Sequence, residues 1–188
     1  AVGQHGITLK TTDAGITWNS FTAASYYKDV FDISFPAPCT GYAVGDDGTI
    51  YKTINGGAEW LTQNSTVTPS LNAVYFTSVD YGYAVGDSGT IIKTTDGGAT
   101  WIQLSSNTTL NLYGVCFTHP DTGYAVGVGG LIIKTTDGGV SFTSQSVGSY
   151  TLNAVDFVSS DIGYAAGLNG RVIKTIDAGA TWNVQFSG

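Results

Sequence analysis

The sequence predicts an all-β chain, a β-propeller of four-stranded antiparallel blades with about five repeat units visible, on three observations. A turn motif recurs at Asp13, Asn55, Asp96, Asp137 and Asp177, spaced 42, 41, 41 and 40 residues apart. The unit has no helical pattern, and one that short must stack on its neighbours to bury its apolar face. Within each unit, short runs rich in β-branched and aromatic residues alternate with polar, Gly-rich turns, the pattern of a strand meander. Apolar residues fall on both faces of the third run, as in Ile91 and Ile92, Ile132 and Ile133, and Val172 and Ile173. A sheet sandwiched between two neighbours needs that cover, whereas a sheet with one wet face alternates.

The clearest unit runs over 71–106 and is expected to hold strands at 71–77, 81–85, 90–95 and 99–104. The units are placed at 1–25, 26–66, 67–107, 108–148 and 149–188 of a single array. Residues 1–21 lack a first strand, so nineteen strands are expected, and an arc of a larger propeller is favoured over direct closure of a small one. The turn between second and third strands is flanked by glycines in all five copies: Gly3 and Gly6, Gly45 and Gly48, Gly86 and Gly89, Gly127 and Gly130, Gly167 and Gly170. They imply positive φ or very close backbone approach. A phosphate loop would need a following helix and a Lys with Ser or Thr.

Composition narrows the partners. Seven basic against fourteen acidic residues give a net charge of −7, which disfavours nucleic acid and anionic membrane. No apolar run is long enough for a membrane-spanning helix. The first residues have neither a basic start nor a signal-peptide core, so a removed signal or an internal piece of a longer polypeptide is expected. Cys39 and Cys116 occupy different positions of non-adjacent repeats and are expected as free thiols.

The turn between third and fourth strands reads TTDAGITW at 11–18, TINGGAEW at 53–60, TTDGGATW at 94–101, TTDGGVSF at 135–142 and TIDAGATW at 175–182. It resembles the Asp-box, or bacterial neuraminidase repeat. The short Asp or Asn side chain can accept hydrogen bonds from the turn's own amides, and the Gly gives the bend its freedom. Trp18, Trp60, Trp101, Phe142 and Trp182 follow five residues later as packing anchors, each contributing about 2 to 3 kcal/mol if buried. With the preceding Gly-Tyr-Ala-Val-Gly segment, the unit resembles the Ycf48-like repeat over nearly the whole chain. That resemblance implies a photosystem II assembly or stability factor or one of its secreted bacterial relatives. The photosynthetic members are seven-bladed and bind assembly intermediates through an arginine-rich surface. Here the only arginine is Arg171, where the other repeats carry Ile7, Thr49, Thr90 and Leu131.

Asp-box propellers include sialidases and other glycoside hydrolases, but no catalytic residue is assigned. A sialidase clamps its substrate with three arginines, and other glycosidases need two facing carboxylates at unique positions. Most acids here are repeated turn residues. Asp32 and Asp156 in first strands are the least implausible catalytic pair. His5 and His119 read as surface residues with no nucleophile or metal-ligand pattern, and the Asp46-Asp47 pair lacks the oxygens of a Ca²⁺ loop. No metal or cofactor is therefore expected. Lys10, Lys52, Lys93, Lys134 and Lys174 share one repeat position, as do Tyr42, Tyr83, Tyr124 and Tyr164. The lysines are read as stems over apolar surface with the ammonium in solvent or near an acid, and the tyrosines as packing residues with a polar tip.

Functional individuality is expected in the connections between blades, where Phe21, Tyr26, Tyr27 and Tyr150 are candidate binding aromatics. Asn64 and Asn107 head glycosylation sequons. The Ser, Thr, Asn, Gly and Tyr content with sparse Lys and Glu points to an extracellular, cell-surface or periplasmic protein. The expected function is a non-enzymatic scaffold that binds a protein partner or other domains of its own polypeptide. Two alternatives stay open: a carbohydrate-binding or glycoside-hydrolase-like propeller, and a photosystem II assembly factor.

Overall fold

The computed structural model describes residues 1–22 and 28–185, with residues 21 and 22 described in backbone only. One two-stranded and four four-stranded antiparallel sheets follow one another along the chain. The first pairs β1 (Ile7–Lys10) with β2 (Asn19–Thr22). The full sheets are β3 (Val30–Ser34) to β6 (Leu61–Gln63) through β4 (Gly41–Gly45) and β5 (Ile50–Thr53), and β7 (Leu71–Phe76) to β10 (Ile102–Leu104) through β8 (Gly82–Gly86) and β9 (Ile91–Thr94). Next come β11 (Leu112–His119), β12 (Thr122–Gly127), β13 (Leu131–Thr135) and β14 (Thr143–Ser146), and then β15 (Leu152–Phe157), β16 (Gly163–Gly167), β17 (Val172–Thr175) and β18 (Asn183–Gln185). Each full sheet is a meander in chain order, as the short connections require. Among the described residues the helical elements are five three-residue 3₁₀ turns. The chain forms two compact units, one of Ala1–Ala84 with Ile92–Gln103, the other of Val85–Ile91 with the chain from Leu104 onward.

Two expectations on strands need correction. Eighteen strands form among the described residues, because the second-strand position of the first sheet is reduced to a bridge between Val2 and Thr8. The fourth strand of the 67–107 repeat begins at Ile102 rather than 99, since Thr100 is held in the preceding turn by Asp96.

The paired glycines divide the two reasons between them. The second of each pair, as at Gly48 and Gly89, has φ of +68° and +70°, and a Cβ there would also meet a backbone carbonyl at 2.1 and 2.0 Å. The first is extended, and at Gly45, Gly127 and Gly167, though not at Gly3, close contact demands it. A Cβ on Gly45 would lie 1.9 Å from the Asp29 carbonyl oxygen, and one on Gly127 2.0 Å from that of Asn111. The turn thus lies flush on the start of its own first strand, where Asp46 and Val128 donate their N–H groups to the same two carbonyls.

Burial follows the sandwich pattern. The Gly-Tyr-Ala-Val-Gly strands β4, β8 and β12 are buried over 41–45, 82–86 and 123–127, while Tyr164 and Ala166 of β16 are exposed. In the first unit, Tyr42, Val44 and Ile50 of one sheet join Leu71, Val74, Phe76, Ile92 and Trp101 of the next in a single apolar cluster.

The turn aromatics separate into two groups. Trp60, Trp101 and Trp182 are buried as expected, each set edge-on against a phenylalanine at the end of the first strand or just past it, Phe35, Phe76 and Phe157, with centroids 6.0, 6.0 and 5.9 Å apart. Trp18, beside the two-stranded sheet, is 51% exposed. Phe142 is only half-buried. Replacing Trp101 with alanine is expected to cost about 3 to 5 kcal/mol in urea unfolding. The same change at Trp18 should cost less than about 1 kcal/mol, and equal losses at the two positions would contradict this assignment of the packing.

Candidate functional site

The turn between third and fourth strands is built around two side chains, of which the sequence reading credited only one. In the 94–101 copy, Thr94 Oγ1 accepts the Gly98 N–H at 2.8 Å and donates to Asp96 Oδ1 at 2.9 Å. Asp96 also accepts the Thr100 N–H at 2.9 Å and the Thr100 hydroxyl at 2.7 Å. The same set recurs at Asp13, Asp137 and Asp177. The threonine hydroxyl is buried at Thr53, Thr94, Thr135 and Thr175, so it has to be satisfied within the turn. All four carboxylates are held at a pKa of about 2, first by the hydroxyl four residues on (Thr17, Thr100, Ser141, Thr181) and then by that residue's N–H. The second copy has Asn55 and Glu59 instead. Asn55 Oδ1 accepts the Glu59 N–H at 2.9 Å, and the neutral amide avoids setting two carboxylates together.

The repeated tyrosines and lysines serve the contact between repeats. Tyr42 stacks on Phe76 with centroids 3.7 Å apart and an interplanar angle of 12°, and its hydroxyl donates to the Gly97 carbonyl at 2.8 Å. Lys52 Nζ lies 5.5 Å from the Tyr42 ring centroid and donates to the same carbonyl at 2.6 Å. The second unit repeats the arrangement: Tyr124 stacks on Phe157, and Tyr124 and Lys134 both donate to the Ala178 carbonyl at 2.7 Å. At Lys52 and Lys134 the ammonium therefore reaches a turn carbonyl of the next sheet, not solvent or an acid. Burial first, with nearby acidic groups adding to it, raises both phenols to about 12. Tyrosine as a packing residue with a polar tip matches these contacts.

The singular residues fare differently. Tyr26 and Tyr27 lie outside the described residues, and Phe21 is placed in β2 without its side chain. Tyr150 is 40% exposed and carries the Arg171 guanidinium 4.6 Å above its ring centroid. Arg171 Nε is buried with no hydrogen-bond partner among the described residues. The sequence singled out Tyr150 and Arg171 separately, and 21 residues of chain hid their pairing.

Asp32 lies in the first unit and Asp156 in the second, and both carboxylates are engaged. Asp32 accepts the Val74 and Ile33 N–H groups at 2.8 Å, while burial, the larger influence, raises its pKa. Asp156 accepts the Phe157 N–H at 2.9 Å and faces Cys116 Sγ at 3.6 Å. Burial pushes the Cys116 thiol up to about 11, and both cysteines are free. Asp47 pairs with Lys28, the His5 N–H donates to Asp29, and His119 Nδ1 accepts the Asp121 N–H. Among the described residues no three His, Cys, Asp or Glu side chains converge as a metal site. Asn64 and Asn107 are exposed.

The sequence profile of the family described as photosynthesis system II assembly factor YCF48 matches residues 22–110 and 101–187. The chain belongs to this family. A solved YCF48 bound to D1 peptide is 16% identical, with a TM-score of 0.67 over 98% of this chain and 76% of that one. YCF48 from Cyanidioschyzon merolae is 17% identical, with a TM-score of 0.76 over 96% of this chain and 66% of the other. The GH74 enzyme of Niastella koreensis is 19% identical, with a TM-score of 0.65 over 98% of this chain and 38% of its own. At such identities the likeness carries the fold alone, and that fold is the β-propeller. No curated protein matches the chain.

The depressed turn carboxylates set an acid limit. With folded values of about 2 against an ordinary 3.8, their contribution is complete above pH 3.8 and is lost as pH falls through about 2. Melting temperature followed from pH 5 to pH 2 should drop over that window, and Asp96→Asn should flatten the drop as Asn55 already does in its own repeat.

Proposed function

We propose that the chain is a non-enzymatic propeller module that binds an exposed segment of a partner protein, with Tyr150 and Arg171 at the contact. One observation carries this reading: the repeated Asp and Thr side chains close their own turns, Tyr42, Lys52, Tyr124 and Lys134 hold sheet to sheet, and an arginine stacked on an exposed tyrosine stands outside that pattern. Arginine and tyrosine are the residue types that most often dominate binding energy at interfaces. Family membership supports a protein partner, as does the peptide in the solved YCF48 complex. A photosystem II assembly role is the specific form that the family description suggests. The net charge of −7 and a single arginine favour a partner that does not need a broad basic surface. We place the protein outside the cytoplasm, at the cell surface or in the periplasm, on its polar, Lys- and Glu-poor composition.

The GH74 likeness supports a second reading, a carbohydrate-active propeller. Calorimetry with the D1 peptide and a broad glycosidase screen separate the two. Peptide binding weakened at least about fivefold by Arg171→Ala or Tyr150→Ala, the margin expected of a residue that matters at an interface, supports the proposal. Binding unaffected by both substitutions rejects this surface. Glycoside turnover abolished by Asp32→Ala or Asp156→Ala rejects the non-enzymatic reading.

A further inference from the structure

We propose that Asn55 is a deamidation site latched by its own turn: while 53–60 is closed the amide survives, and opening of the turn commits it to a change of charge that does not reverse. Four copies of this turn carry an aspartate followed by glycine or alanine. The 53–60 copy sets an asparagine before a glycine, at Asn55 and Gly56.

The chemistry follows from that pair. The Gly56 nitrogen loses its proton and bonds to Asn55 Cγ, the Cγ–Nδ2 bond breaks, and ammonia leaves with the proton. The cyclic imide then takes up one water. Opening at Cγ leaves an aspartate, and opening at the main-chain carbonyl leaves an isoaspartyl linkage, in which the backbone runs through the side chain. Glycine favours the attack because it has no Cβ to crowd the nitrogen. The four aspartates resist it, since carboxylates held at a pKa of about 2 are ionised and poorly electrophilic. The Asn55 amide has no charge to shield it.

In the closed turn the reacting groups are tied down. The Gly56 N–H, whose proton must leave, donates to the Cys39 carbonyl at 2.9 Å. Asn55 Oδ1 accepts both the Thr53 hydroxyl and the Glu59 N–H at 2.9 Å, so the side chain is pinned from two directions. Thr53 Oγ1 is buried and also accepts the Gly57 N–H at 2.9 Å and the Asn55 N–H at 3.3 Å, which fixes the backbone on both sides of Gly56. Asn55 itself is exposed, so access of water does not limit the reaction. Local opening of the turn is what would release it.

The products do not suit the closed turn. In the other copies the second carboxylate oxygen takes the hydroxyl of Thr17, Thr100, Ser141 or Thr181. Glu59 stands at that position here, and like charges repel. An isoaspartyl linkage would lengthen the main chain by a methylene within the turn that ends on buried Trp60.

The test uses the whole chain in mildly alkaline buffer, with conversion at Asn55 followed by peptide mass spectrometry and compared with the same chain in urea. Conversion in the folded chain should be at least about tenfold slower, roughly the margin of one hydrogen bond. Thr53→Ala, which removes a donor and an acceptor together, should speed it about tenfold. Thr53→Ser, and Thr94→Ala in another turn of the same unit, should leave it unchanged. Equal rates in buffer and urea, or no acceleration by Thr53→Ala, would overturn the proposal. So would equal acceleration by Thr94→Ala, because unfolding of the whole unit would then control the site. Melting temperature gives a second reading: Asn55→Asp should melt below the parent, and adding Glu59→Thr, which restores the hydroxyl, should recover the loss. Asn55→Asp as stable as the parent would show that the deamidated turn closes again, and would reject an irreversible latch.

Discussion

The structure depends on one convergence: a tyrosine hydroxyl and a lysine ammonium from one sheet donate to a single carbonyl in the turn between third and fourth strands of the next, at Gly97 and at Ala178. Sheets stacked only through apolar faces could slide, because hydrophobic burial has no direction. Hydrogen bonds from a buried phenol do have direction, and an unpaired one would cost about 1 to 3 kcal/mol. The pair therefore fixes register where the apolar cluster supplies attraction. The Tyr42 ring resting on Phe76, which meets Trp101 edge-on, carries that register into the body of the next sheet.

This convergence explains why the turn must be rigid. A carbonyl can serve as the fixed point for two donors only if its own backbone does not move. The turn achieves this through Thr94 and Asp96, whose four hydrogen bonds close it from inside. The conformation of Gly97 and Gly98, at φ of +66° and +81°, leaves the carbonyl pointing at the incoming tyrosine. Gly82 completes the fit from below, since a Cβ there would lie 2.4 Å from the Phe76 ring. Asn55 retains the N–H acceptor of the aspartate, and the 53–60 turn still closes over Thr53. The charge itself is thus secondary to the geometry of the acceptor oxygen.

Most of this fold was legible in the sequence because repetition multiplies weak signals by five. The meander, the two-faced third strand and the close glycines all followed from period and residue type. The role of Phe35, Phe76, Phe117 and Phe157 was missed, although each stands six residues before the glycine of the Gly-Tyr pair. A strand phenylalanine looks like ordinary core, and only the ring-on-backbone contact at that glycine reveals its seat. The lysines were misread for a related reason. Sequence reasoning looks for a partner of opposite charge, and a backbone carbonyl forty-five residues away leaves no compositional trace. The uniform treatment of five turn aromatics failed at Trp18 and Phe142, since a shared motif does not guarantee a shared environment.

Repetition also decides where individuality can lie. Any position demanded by the sheet-to-sheet contact is closed to a new role, because a change there is felt by two sheets at once. What remains are the places where the pattern is interrupted, such as an arginine where the other repeats carry aliphatic residues or threonine. Arg171 stacks on Tyr150 beside Gly148, whose φ of +89° bends the connecting segment. In a scaffold whose common residues are committed to holding sheets together, recognition has to be assembled from such departures, and they are visible only after the common contacts have been accounted for.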